Sequence, residues 1–135
     1  MKSLITTLSV IFSLTAMAQW EAVESLPVAA NVRHHPITFS LNGLGYVMAG
    51  TKPLAGVLKD FYSYDPVTDE WTTLPDFPGI ARGYSYGVTT GSKAYLGFGY
   101  YENEETFEGA ALNDFWEYDP ITEEWTELAT CPCVE

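Results

Sequence analysis

The sequence predicts an all-β chain of two successive four-stranded antiparallel sheets, and three observations carry that expectation. The stretch Asp60 to Leu74, DFYSYDPVTDEWTTL, returns as Asp114 to Leu128, DFWEYDPITEEWTEL, with ten identities in 15 positions at an offset of 54. Ahead of each copy lie two short apolar segments joined by a two-residue turn signal, Asn42-Gly43 in the first and Gly91-Ser92 in the second. The third is a Tyr-Asp-Pro phrase in both copies, Tyr64-Asp65-Pro66 and Tyr118-Asp119-Pro120, which closes a hairpin between the last two strands of each unit.

The chain opens with Met1-Lys2, an apolar run from Leu4 to Leu14 and Ala16-Met17-Ala18. This reads as a signal peptide over residues 1–18, cleaved after Ala18 and directing the protein to the periplasm or outside the cell. The apolar run is short of the ~20 residues needed to span a bilayer, so no membrane insertion is expected once the leader is removed. The rest of the chain, 19–135, carries 18 carboxylates and loses one of the six basic residues with the leader, for a net charge of −13. Such a field repels a phosphate backbone, and nucleic acid is not expected as a partner. Cys131 and Cys133 lie in the last five residues and staple nothing in the body of the fold, and two ligands fall short of a structural zinc site. No metal and no cofactor are expected.

Residues 19–27, QWEAVESLP, read as a lone outer strand with Trp20 in the role of Trp71 and Trp125. The first unit, 33–75, starts with a strand near Ile37 to Leu41, turns at Asn42-Gly43 in type I′ geometry, and returns near Gly45 to Gly50. The second unit, 82–128, meets the same demand with Gly91-Ser92, a type II′ signal. In the repeated phrase, Asp65 accepts a backbone N–H two residues on and Pro66 pre-sets φ for the turn. Counting outward from Asp65 opposite Glu70 sets Tyr64 across from Trp71 and Tyr118 across from Trp125. On the other face the count pairs Phe61 with Leu74 and Phe115 with Leu128. Sheets apolar on both faces are buried by stacking face to face, and a period near 50 residues belongs to propeller-type repeats.

These residues resemble the kelch repeat: a strand ending in a small residue and Gly, with Ala49-Gly50 and Phe98-Gly99 standing here where the family usually has Gly-Gly, then a Tyr and a Trp with six residues between them. Asp60 and Asp114 open the matching stretches. The resemblance implies a partial kelch-type β-propeller, with the first strand of each unit nearest the axis. One strand plus two blades is fewer than the 4 to 8 blades of closed propellers, so the missing neighbours are expected to be further blades or another copy. The tail, 129–135, aligns with the start of a linker, and the domain is expected to be incomplete.

Chemistry is expected at the loops. Arg33 and Arg82 occupy matching positions, and an Arg there suits either a carboxylate or phosphate ligand or a repeated hydrogen bond between blades. His34-His35 stands beside Arg33, and Tyr84 follows Arg82. Tyr100 and Tyr101 open a long loop, Tyr100 to Asn113, in which aromatic side chains would stack on a sugar or peptide. The candidate ligand-binding residues are therefore Arg33, His34, Arg82, Tyr84, Tyr100 and Tyr101, and no catalytic residue is assigned. The expected function is that of an exported interaction module binding protein or glycan through loops at one end. The alternative is part of a periplasmic sugar-handling enzyme resembling kelch-type sialic acid mutarotases.

Overall fold

Turn chemistry fixes the strands. In the computed structural model, which describes residues 20–27, 32–54 and 56–132, Asn42 and Gly43 take φ of 53° and 84°. These are the two positive values that a type I′ turn requires, and they join β1 (Ile37–Leu41) to β2 (Leu44–Thr51). β3 (Val57–Asp65) and β4 (Glu70–Leu74) complete an antiparallel sheet in the order β1-β2-β3-β4. The second unit repeats this with β5 (Tyr86–Thr90), β6 (Lys93–Gly97), β9 (Phe115–Asp119) and β10 (Glu124–Leu128), while β7 (Tyr100–Glu102) and β8 (Gly109–Ala111) form a separate two-stranded ribbon. Gly91 alone has positive φ in its turn, 62°, as a type II′ start demands.

The register is the one the repeated phrase implies. Tyr64 pairs with Trp71, Asp65 with Glu70 and Phe61 with Leu74, and Tyr118 pairs with Trp125 and Phe115 with Leu128. Asp65 Oδ1 accepts the N–H of Val67 at 2.8 Å, and Asp119 Oδ1 that of Ile121 at 2.9 Å. In the first hairpin Tyr64 also donates its hydroxyl to Asp69 at 2.6 Å. That bond pushes the phenol up to about 12 and holds the Asp69 carboxyl below its ordinary range.

At the outer end of β2 a bulge shifts the register between Met48 and Gly50. Ala49 and Phe98 take φ of 54° and 63° at matching positions, each followed by a glycine of positive φ. Phe98 therefore follows the same backbone path as Ala49 although it carries a large side chain. The glycine that follows is required by close approach as well as by φ: a Cβ on Gly99 would lie 2.7 Å from the Gly83 carbonyl oxygen and 2.9 Å from Ser85 Cβ. Gly99→Ala is expected to destabilise by about 1–3 kcal/mol, the cost of an unfavourable φ held against tight neighbours. A shift in urea midpoint below ~0.5 kcal/mol would show that the bulge relaxes freely.

The core lies between the two sheets. From the first, Ile37, Leu41, Tyr46, Met48, Phe61 and Leu74 face the second, which answers with Ala94, Leu96 and Tyr118 and the partly buried Trp116 and Trp125. Trp125 packs its ring 5.7 Å from Phe61, 5.1 Å from Phe77 and 4.9 Å from Tyr118. The two remaining sheet faces lack a neighbouring sheet among the described residues. On one, Trp71 is half-buried against Tyr64. On the other, Tyr86 and Val88 are exposed beside Lys93, which bonds Glu117 at 3.0 Å and Asp119 at 2.9 Å. The architecture is a partial β-propeller of two blades.

Two expectations are corrected. Residues 20–26 form no strand, and Trp20 is fully exposed. A strand needs a backbone ladder, whereas this segment is held by side chains: Asp69 Oδ1 accepts the Glu24 N–H at 2.8 Å, and Trp71 Nε1 donates to the Glu24 carbonyl at 2.9 Å. The loop from Tyr100 to Asn113 is not irregular throughout, because the β7-β8 ribbon occupies it, with Tyr100 opposite Ala111 and Glu102 opposite Gly109. The expected leader, 1–18, and the last residues of the tail, 133–135, lie outside the described residues.

Candidate ligand-binding site

β1 starts, β2 ends, β3 starts and β4 ends at one end of the first blade, and the second blade repeats the arrangement. The linker after β4, the β2–β3 loop and the β7-β8 ribbon therefore gather there. Matching isolated bridges tie this end together: His34 pairs with Thr51 and Gly83 with Tyr100. The blades are joined across it by the Gly50 N–H, which donates to the Arg82 carbonyl at 2.9 Å. Gly83 is glycine because a Cβ there would run into the Thr51 hydroxyl.

Both arginines are committed to the fold, which corrects their candidacy as ligand-binding groups. Arg82 is fully buried and grips Asp114 with two bonds of 2.6 Å, donates to the carbonyls of Ile80 and Phe98, and lies 5.0 Å over the Phe77 ring. Burial pushes the Asp114 carboxyl up, but bonds from Arg82 and from Trp116 Nε1 outweigh it, and the net shift is downward. Arg33 repeats the clamp on Asp60 at 2.7 and 2.6 Å and donates to the Ala49 carbonyl. Arg82 spends Nε as well as both Nη atoms on partners inside the protein, and Arg33 Nε is buried, so neither guanidinium turns a free fork to solvent.

The geometry does bring together His34, His35 and Tyr84. His35 and Tyr84 stand at equivalent positions of the two blades and both hold left-handed backbone, φ 51° and 57°. Their rings stack at 4.0 Å, and His34 meets His35 edge-on at 5.0 Å. The two imidazoles share one hydrogen bond, Nδ1 to Nδ1 at 2.7 Å, so one of the two nitrogens is unprotonated while it lasts. Tyr84 is half exposed, and a hollow of about 170 Å³ lies between His35, Pro36, Tyr84, Ser85 and Tyr86. Left-handed backbone at a histidine or tyrosine is strained, and here the strain presents rings to solvent rather than to the core.

Tyr100 and Tyr101 do not join this group. The Tyr100 ring lies over Gly109, where an added Cβ would meet its hydroxyl and ring carbons, and the Tyr101 hydroxyl lies 3.4 Å from Asn103 Nδ2. Both rings belong to the ribbon. His35 and Tyr86 were the members of the platform absent from the sequence candidates, and the only signal for His35 was its adjacency to His34. Among the described residues no group of three or more His, Cys, Asp or Glu side chains is arranged to hold a metal ion.

Four-stranded antiparallel blades closed by a Tyr–Trp hairpin, with a glycine bulge at the end of the second strand, define a kelch-type propeller segment. Residues 40–78 match the Kelch motif. The Kelch-like protein terF of Aspergillus terreus is 30% identical over 122 residues, covering 84% of this chain and 25% of that protein. The N-acetylneuraminate epimerase of Pasteurella multocida is 33% identical over 73 residues, covering 52% of this chain and 18% of the enzyme. Among solved structures, that of YjhT superposes with a TM-score of 0.72 at 17% identity, over 85% of this chain and 42% of that one, a likeness of fold. The chain is a kelch-repeat protein, and it spans a quarter or less of the length of these two curated relatives.

Proposed function

We propose that the chain is part of an exported kelch-type interaction module that binds a protein or glycan ligand through the end of the blades where His34, His35 and Tyr84 meet. The carrying observation is the stacked, left-handed His35–Tyr84 pair, one ring from each blade, displayed to solvent at a backbone cost that packing does not explain. Ring faces of this kind suit the C–H face of a sugar or the side chain of a peptide. Export rests on the leader pattern in residues 1–18. The uncovered sheet faces support further blades completing the propeller.

A second reading, a piece of a sugar-handling enzyme, is favoured by the similarity to the N-acetylneuraminate epimerase. One titration tests both. N-acetylneuraminate added to the chain, followed by the imidazole proton signals of His34 and His35, is expected to shift them in the wild type and not in Tyr84→Ala. Unmoved signals at ~10 mM ligand would remove this sugar as a ligand of the site. Faster interconversion of its anomers in the presence of the chain would favour the enzyme.

A further inference from the structure

A second feature at the same end stands apart from the ring platform. The β2–β3 loop of the first blade presents Leu54, 98% exposed, and the ribbon loop of the second presents Phe107, 69% exposed. With Pro53, Lys52 and Glu104 they line a predominantly apolar notch of about 550 Å³ between the blades. Single exposed apolar residues are ordinary on a protein surface. Two large ones from separate blades, held around one notch, are a patch.

The notch is braced from both sides. Lys52 Nζ bonds Glu104 Oε2 at 2.6 Å, and the Gly56 carbonyl accepts the Lys52 N–H at 3.0 Å. Gly56 has positive φ, and a Cβ there would lie 2.9 Å from Glu104, so the two loops meet as closely as glycine allows. Phe107 sits at φ 58° on a turn that closes on itself: its N–H donates to the Asn103 carbonyl, the Asn103 N–H to the Glu108 carbonyl, and Asn103 Oδ1 accepts from Glu105 and Thr106. The ring is thus aimed outward by a strained turn that gains nothing in internal packing.

Charge selects the occupant. Lys52 is neutralised by Glu104, while Glu105 and Glu108 flank Phe107 with no basic partner among the described residues. The whole chain carries −12, so a second copy would bring like charge against like. We infer that the Leu54–Phe107 notch docks a partner peptide through a large apolar anchor side chain flanked by Lys or Arg. The apolar anchor fills the notch, and the flanking cations meet Glu105 and Glu108.

The probe is a fluorescein-labelled hexapeptide with Phe-Leu at its centre and Lys or Arg at the other four positions, read by anisotropy against the full chain. Saturable binding is expected, weakened about tenfold or more by Phe107→Asn and by Leu54→Ser. Asn tolerates the left-handed backbone, and both side chains are exposed, so neither variant should lower the melting temperature. Serines in place of Phe-Leu should abolish binding, and ~0.5 M salt should weaken it several-fold. Tyr84→Ala should leave it unchanged, which separates this site from the ring platform. No saturation by ~1 mM, equal affinity for the same peptide with glutamates, or indifference to both substitutions would overturn the proposal. So would a fall in sedimentation mass on Phe107→Asn, because the occupant would then be a second copy.

Discussion

Asp114→Ala is expected to destabilise the chain by about 3–5 kcal/mol, the range for removing one partner of a buried ion pair. It strands the Arg82 guanidinium, which is fully buried and donates both of its short 2.6 Å bonds to Asp114. Stability of a domain is typically only ~5–15 kcal/mol, so urea unfolding should start near zero denaturant in this variant. Replacing both partners by apolar residues should recover much of the loss, since the pair's net worth is far smaller than the penalty of breaking it. A midpoint shift under ~1 kcal/mol for Asp114→Ala would mean that water reaches Arg82. The sign of the pH effect follows from the depressed Asp114 carboxyl. Its contribution is fully present above the unfolded carboxylate range, near pH 4, and is lost as pH falls through the lower folded value. The acid limb of unfolding should therefore flatten in Asp114→Asn.

Trp125→Ala should cost about 3–5 kcal/mol and Trp71→Ala no more than about 1.5, although the two residues occupy the same place in the repeat. Trp125 is wedged among Phe61, Phe77 and Tyr118 between the sheets. Trp71 lies on a sheet face that has no neighbouring blade among the described residues and is held by Tyr64 and one bond to the Glu24 carbonyl. Denaturant titrations giving equal losses would show that the Trp71 face is covered in solution.

The strand order, the hairpin register and the turn types were legible because they are local. Asn42-Gly43, Gly91-Ser92 and Asp65-Pro66 fix their geometry within four residues, and alternation along β3 and β9 fixes which side chains share a face. The β7-β8 ribbon was missed because its strands are three residues each and read as part of one long loop. The lone strand at residues 19–27 was expected from a Trp alone, and a Trp does not supply a ladder partner.

By itself the sequence determined that this chain repeats one four-stranded unit and where each unit turns, since period and turn chemistry are properties of neighbouring residues. Only the tertiary structure decided what the repeated polar residues do. Arg33 and Arg82 read equally well as ligand groups or as clamps until Asp60 and Asp114, 27 and 32 residues away, were brought within hydrogen-bonding distance. Likewise, Tyr84 was a candidate only as the neighbour of Arg82, and His35, 49 positions away, marks no site until two blades stack and set one ring on the other. Contacts between blades depend on the angle and separation at which sheets pack, and that geometry is written in the summed fit of many side chains rather than in any one stretch of chain.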